Sequence, residues 1–174
     1  MNIRRSKLIL IFLGLSTSTS IHAEEYLSLN AGLSVSKSIL GVSYTRGQNE
    51  LNIGLKGFVV SNSGEYVLQP GLTYNRYFTS NGWYGSIGYA PEYRNEDVLI
   101  AKYLSPGTYT YHFKREKGWT AGGVLLGMGK NFQFTTWGVN LDGGLAVPLN
   151  RSELNQTPLS LWVGAGISYR FKLD

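Results

Sequence analysis

PLSLWVGAGISYRF, residues 158–171, alternates without a break. Leu159, Leu161, Val163, Ala165, Ile167, Tyr169 and Phe171 take one parity; Ser160, Trp162, Gly164, Gly166, Ser168 and Arg170 take the other. Successive side chains of a strand point to opposite faces. The segment therefore has one apolar face and one small or polar face. Lipid on the apolar side and a packed polar interior on the other would suit such a strand in a barrel wall.

Working back from it, seven more segments of barrel length can be read, with turn residues between them. They cover about 25–35, 38–46, 50–60, 65–78, 83–94, 118–130 and 135–147. In the first, Leu27, Leu29, Ala31, Leu33 and Val35 alternate with Ser28, Asn30, Gly32 and Ser34. In the seventh, Trp137, Val139, Leu141, Leu145 and Val147 oppose Asn140, Asp142, Gly144 and Ala146. Pro70 interrupts the fourth, because proline donates nothing to a ladder, and a bulge would accommodate it. The run Val124-Leu125-Leu126 obscures the parity of the sixth.

Residues 1–23 read as an export signal: Arg4, Arg5 and Lys7, then the apolar run Leu8 to Leu15, then small polar residues up to Ala23. That run is too short to span a bilayer as a helix, and no later stretch holds the roughly 18 apolar residues that a spanning helix needs. A membrane residence would then require a closed barrel, which alone besides helices satisfies every backbone group in lipid. Removing the signal leaves thirteen basic and eleven acidic residues, a net charge of +2. This is no nucleic-acid footprint. The chain has no Cys, which excludes disulfides, thiolate nucleophiles and Cys-ligated metals. No cofactor is expected. Residues 24–174 form one domain of ordinary size.

The connections agree with this order. Three short ones, at 47–49, 79–82 and 131–134, would face the periplasm, and the two longest, at 95–117 and 149–157, the outside. The connection at Ser36-Lys37 is very short. Tyr26, Tyr44, Phe78, Trp83, Trp137, Tyr169 and Phe171 gather at one set of strand ends, and Tyr66, Tyr89, Tyr93 and Trp119 towards the other. Aromatic girdles occupy such positions.

Lys56, Glu92, Arg94, Asp142 and Arg170 share the polar parity. Charges enclosed in a narrow barrel must be paired or hydrogen-bonded. Lys56 and Asp142 are expected in one mid-barrel network, Glu92 and Arg94 near the outer mouth, and Arg170 near the periplasmic one. Such a network either plugs the barrel or forms an ion path. Past the signal His112 is the only histidine; it lies in Tyr109-Thr110-Tyr111-His112-Phe113, whose alternation suggests that the hairpin continues above the membrane. No recognisable spacing links it to Ser105, Glu96, Asp97 or Glu116 as a catalytic set would require. Lys114, Arg115 and Lys117 form a basic cluster suited to lipid-linked phosphate or another anionic partner.

With these residues the chain resembles the small eight-stranded outer-membrane barrels: the transmembrane domain of outer membrane protein A, the adhesin/invasin barrels and the opacity-type proteins. Val163-Gly164-Ala165-Gly166-Ile167-Ser168-Tyr169-Arg170-Phe171 is similar to the C-terminal strand that the barrel assembly machinery recognises. The family usually ends on the aromatic, whereas Lys172-Leu173-Asp174 follows here. The resemblance implies an all-β, eight-stranded antiparallel up-and-down transmembrane β-barrel. It would be a monomer in the bacterial outer membrane, in contact with its lipid and lipopolysaccharide. The expected role is non-enzymatic, structural or surface-binding through external loops. A porin-like narrow pore or lateral conduit for small apolar molecules, a lipid A-modifying enzyme and a soluble ligand-binding barrel with inverted faces are the alternatives. The histidine–serine pattern of the lipid A deacylase barrels is absent, so no catalytic residue is carried over.

Overall fold

The computed structural model describes residues 24–60, 64–78, 80–105, 107–149 and 159–173; the expected export signal lies outside them. Eight strands run up and down: β1 (Glu25–Gly32), β2 (Leu40–Arg46), β3 (Asn49–Val60), β4 (Tyr66–Tyr77), β5 (Trp83–Ser105), β6 (Thr108–Gln133), β7 (Trp137–Pro148) and β8 (Ser160–Leu173). Each pairs antiparallel with its neighbours in sequence, and β8 pairs with β1, so the sheet closes into a ring. Full closure leaves no edge within the paired region. The start of β1, the end of β8 and the turns β2–β3, β4–β5 and β6–β7 lie at one end, called here the terminal end. The other four connections lie at the far end.

The alternation sorts the side chains inside out. Among the described residues, eighteen polar or charged residues are buried and only three hydrophobic ones, Tyr84, Ala90 and Leu125. Val163 is 91% exposed and Leu161 82%, whereas Asn52 and Asn75 on the opposite parity are fully buried. The unclear sixth segment resolves with Leu125 inward and Leu126 and Met128 outward.

Two departures from the sequence reading stand out. The first concerns the connection expected at Ser36-Lys37. β1 stops at Gly32 and β2 starts at Leu40; Leu33 and Ile39 stay bonded to the wall, at Ala165 and Leu55, and residues 34–38 between them fold into the ring. Ser34, Ser36, Lys37 and Ser38 are all buried. Gly32, with φ of 147°, and Ser38, with φ of 97°, turn the chain inward and back. Small interior residues such as Ser28, Asn30 and Ser43 leave room for a length of backbone in a ring that otherwise holds little more than side chains.

The second concerns residues 95–117, expected as a long connection with the hairpin continuing over Tyr109-Thr110-Tyr111-His112-Phe113; the pairing extends much further than that. β5 has 23 residues and β6 has 26, and they stay paired to Ser105↔Thr108. β4 accompanies β5 only to Asn95. The two-stranded ribbon thus continues for about 33 Å past the last β4 pair, at 3.3 Å per residue.

Pro70 and Pro91 stand opposite each other where the β4–β5 ladder is interrupted, between Leu68↔Tyr93 and Leu72↔Tyr89, with the register unchanged across the gap. The bulge expected at Pro70 falls on the neighbouring strand, between Leu55 and Gly57. A second bulge sets Ala121 and Gly122 against Pro91. Gly122 has φ of 57°, and a Cβ there would overlap the Ala90 carbonyl oxygen. Gly122→Ala is therefore expected to cost about 1–3 kcal/mol, read as an earlier unfolding midpoint; an unchanged midpoint would show that this turn relaxes freely.

Candidate functional site

The buried polar interior is built around the inward segment. Asp142, on β7, gathers four donors on Oδ2. Ser34 Oγ lies at 2.5 Å, Tyr84 Oη at 3.0 Å and Asn140 Nδ2 at 3.2 Å, and Ser36 Oγ donates as well. Lys56, on β3, donates to Asn52 Oδ1 at 2.5 Å and to Thr73 Oγ1 at 2.8 Å. Thr73 in turn donates to the Ser36 carbonyl, and Ser38 to Asn52. Lys56 and Asp142 are thus joined through Thr73 and Ser36. They make no direct ion pair.

Closer to the terminal end lies a group that the sequence reading missed. Lys37 Nζ reaches Glu50 Oε2 at 3.0 Å, with both side chains almost wholly buried. Asn75 Nδ2 and Tyr77 Oη donate to the same carboxylate at 2.9 Å each. Glu50 begins a strand beside a tight turn, where a charge usually meets solvent. Its parity, shared with Asn52 and Lys56, was the one available signal. Lys37 carried none, since nothing local marks a loop that turns inward.

The remaining charges separate by height. At the far end, Glu92 accepts from Arg94 and from Gln69 Nε2, the latter at 2.6 Å, and Arg94 also reaches Glu96 at 2.7 Å. At the terminal end, the Arg170 guanidinium lies 4.5 Å from the centre of the Tyr26 ring. A cavity of about 680 Å³ opens there, lined by Tyr26, Thr45, Gln48, Tyr77, Asn131 and Arg170 among others. Tyr26 was expected among the girdle aromatics; it shares the inward parity of Ser28 and lines this mouth instead. Beside it, the exposed Glu24 accepts from the Tyr26 hydroxyl and from Lys172, which hold its carboxyl below the ordinary value. On the outside, Trp137, Tyr169 and Phe171 pack edge to face, with ring centres 4.9 and 4.8 Å apart.

The ribbon separates the residues weighed for chemistry. His112 is exposed and pairs with Ile100, while Ser105 pairs with Thr108. They stand about 13 Å apart along the strand. Asp97 pairs with Arg115, and Glu96 with Glu116. These positions assemble no nucleophile, base and orienting acid. Among the described residues no group of three His, Cys, Asp or Glu could hold a metal ion. The basic cluster divides: Arg115 and Lys117 share a face with Trp119, and Lys114 lies on the other. No protein-family model, curated protein or solved structure matches this chain.

Proposed function

We propose that this chain is a non-enzymatic barrel of the bacterial outer membrane, with a sealed interior that is structural and a β5–β6 ribbon that is its external binding surface. The observation that carries this reading is the inverted burial, eighteen polar residues inside against three hydrophobic ones. A soluble barrel would put its leucines and valines inside, since apolar burial drives folding in water. Lipid rewards the reverse arrangement, provided that every backbone group is paired. No helix among the described residues is long and apolar enough to cross a membrane, so the crossing falls to the strands. The terminal end would face the periplasm, and the ribbon the outside.

Residues 34–38 fill the middle of the ring, which argues against a standing aqueous channel. The protein is expected to sediment with membranes, to require detergent for extraction, and to migrate faster on a gel before boiling than after. Planar bilayers holding it are expected to show no discrete conductance steps. Release by salt alone would overturn the membrane reading, and regular conductance steps would overturn the sealed interior.

A further inference from the structure

The two faces of the β5–β6 ribbon carry different charge. Register sets the faces: Tyr93 pairs with Trp119, Asn95 with Lys117 and Asp97 with Arg115, while Arg94, Glu96 and Val98 pair with Gly118, Glu116 and Lys114. One face therefore presents Trp119, Lys117, Arg115, Phe113 and Tyr111, all exposed. The other presents Lys114 with Glu116, Glu96 and Arg94.

The first face continues the outer surface of the ring. Tyr66, Tyr93 and Trp119 form a chain of rings, with centres 6.0 and 5.3 Å apart, directly below Lys117. Amphipathic rings settle at the headgroup level of a bilayer. Along the strand Lys117 stands about 7 Å beyond Trp119, and Arg115 about 13 Å. Long basic side chains keep their charged heads at that interface while their stems lie on apolar surface. Arg115 is held by Asn95 at 3.3 Å and faces Asp97 at 3.9 Å. Lys117 makes no ion pair among the described residues. Glu65 accepts from the Asp97 backbone N–H at 2.9 Å, so carboxylates gather around Arg115, and Lys117 is the cation that stands clear of them, immediately beyond an aromatic belt.

We infer that Lys117 and Arg115, above Trp119, form a binding site for the phosphate of anionic lipid headgroups, which no choline cation neutralises, and that Lys114 has no part in it. The inference rests on the membrane reading above and adds the ligand chemistry of the ribbon. Phosphate accepts several charge-assisted hydrogen bonds, and a guanidinium presents a matching fork. The attraction of each basic residue near an anionic surface fades within a Debye length, so the effect must weaken with salt.

The test places the protein in vesicles of phosphatidylcholine alone or mixed with phosphatidylglycerol, and reads the temperature at which the fast-migrating form is lost. The anionic lipid is expected to raise that temperature by roughly 4–8 °C. The rise should shrink in high salt and disappear in the Arg115→Gln/Lys117→Gln double variant. It should remain in Lys114→Gln, which removes a positive charge from the other face, and should fall in Lys117→Gln, which removes one charge from this face. Inorganic phosphate added to neutral vesicles should not reproduce it. Stable insertion in both vesicles with no rise, or an equal loss in Lys114→Gln, overturns this site and leaves the membrane reading standing. Failure to insert in either vesicle overturns both.

Discussion

Asp142→Leu is expected to lower the stability of the folded ring by about 3–5 kcal/mol, and Asp142→Asn by less. The carboxylate binds the inward segment to the wall across more than a hundred residues of chain, through Ser34 and Ser36. It also orients Tyr84, the one aromatic that is wholly buried among the described residues. Leucine fits the volume but accepts nothing. Two serine hydroxyls, a phenol and an amide would lose their acceptor in a site that water does not reach, and each unpaired group costs about 1–3 kcal/mol. Ser36 Oγ and Tyr84 Oη, 3.0 Å apart, can satisfy each other in part, so the total falls short of four full penalties. Asparagine keeps one acceptor oxygen. The measurement is the denaturant or thermal midpoint in detergent. A shift below about 0.5 kcal/mol, the range of ordinary surface changes, would mean that Asp142 does not hold the segment.

The second large effect is expected at the other end of the same segment. Lys37→Met leaves the Glu50 carboxylate buried, with Asn75, Tyr77 and Thr45 as its only donors. Breaking one side of a buried pair costs about 3–5 kcal/mol, whereas replacing both partners with apolar groups is often close to neutral. Adding Glu50→Leu to Lys37→Met should therefore recover much of the loss. The coupling between the two positions should reach about 2–3 kcal/mol. Additive losses would mean that the two side chains act independently, and that the 3.0 Å contact contributes little to holding the segment in place.

Much of this architecture was legible in the sequence because a period of two is a strong signal wherever the two faces meet different surroundings. That held for β8 and for β7 as far as Asp142, and it puts Lys56 and Asp142 on the interior parity. The same signal misled at residues 34–38. Leu33, Ser34, Val35 and Ser36 alternate as a strand would, but their serines are satisfied by Asp142 and Tyr84, over a hundred and some fifty residues away. No local pattern records such a partner. The ribbon was legible only in part. Tyr109-Thr110-Tyr111-His112-Phe113 alternates as a continuing hairpin would, but residues 95–108 carry no such pattern. The division of Lys114 from Arg115 and Lys117 follows from parity alone. It became visible only once the whole stretch was known to be paired, with the register carried past the bulge opposite Pro91.

The inward fold of residues 34–38 also shortens one side of the wall. β1 has eight residues and β2 seven, a path of about 26 Å for the longer one. Tilted as barrel strands are, that wall stands only about 20 Å tall, against an apolar band of about 25 Å. On the proposed membrane reading, acyl chains beside β1 and β2 must compress or thin to meet it, while those beside β5 and β6 need not. The cost is a fraction of a kcal/mol per ångström of mismatch, enough to give the molecule a preferred lean and to enrich shorter-chain lipids along one flank.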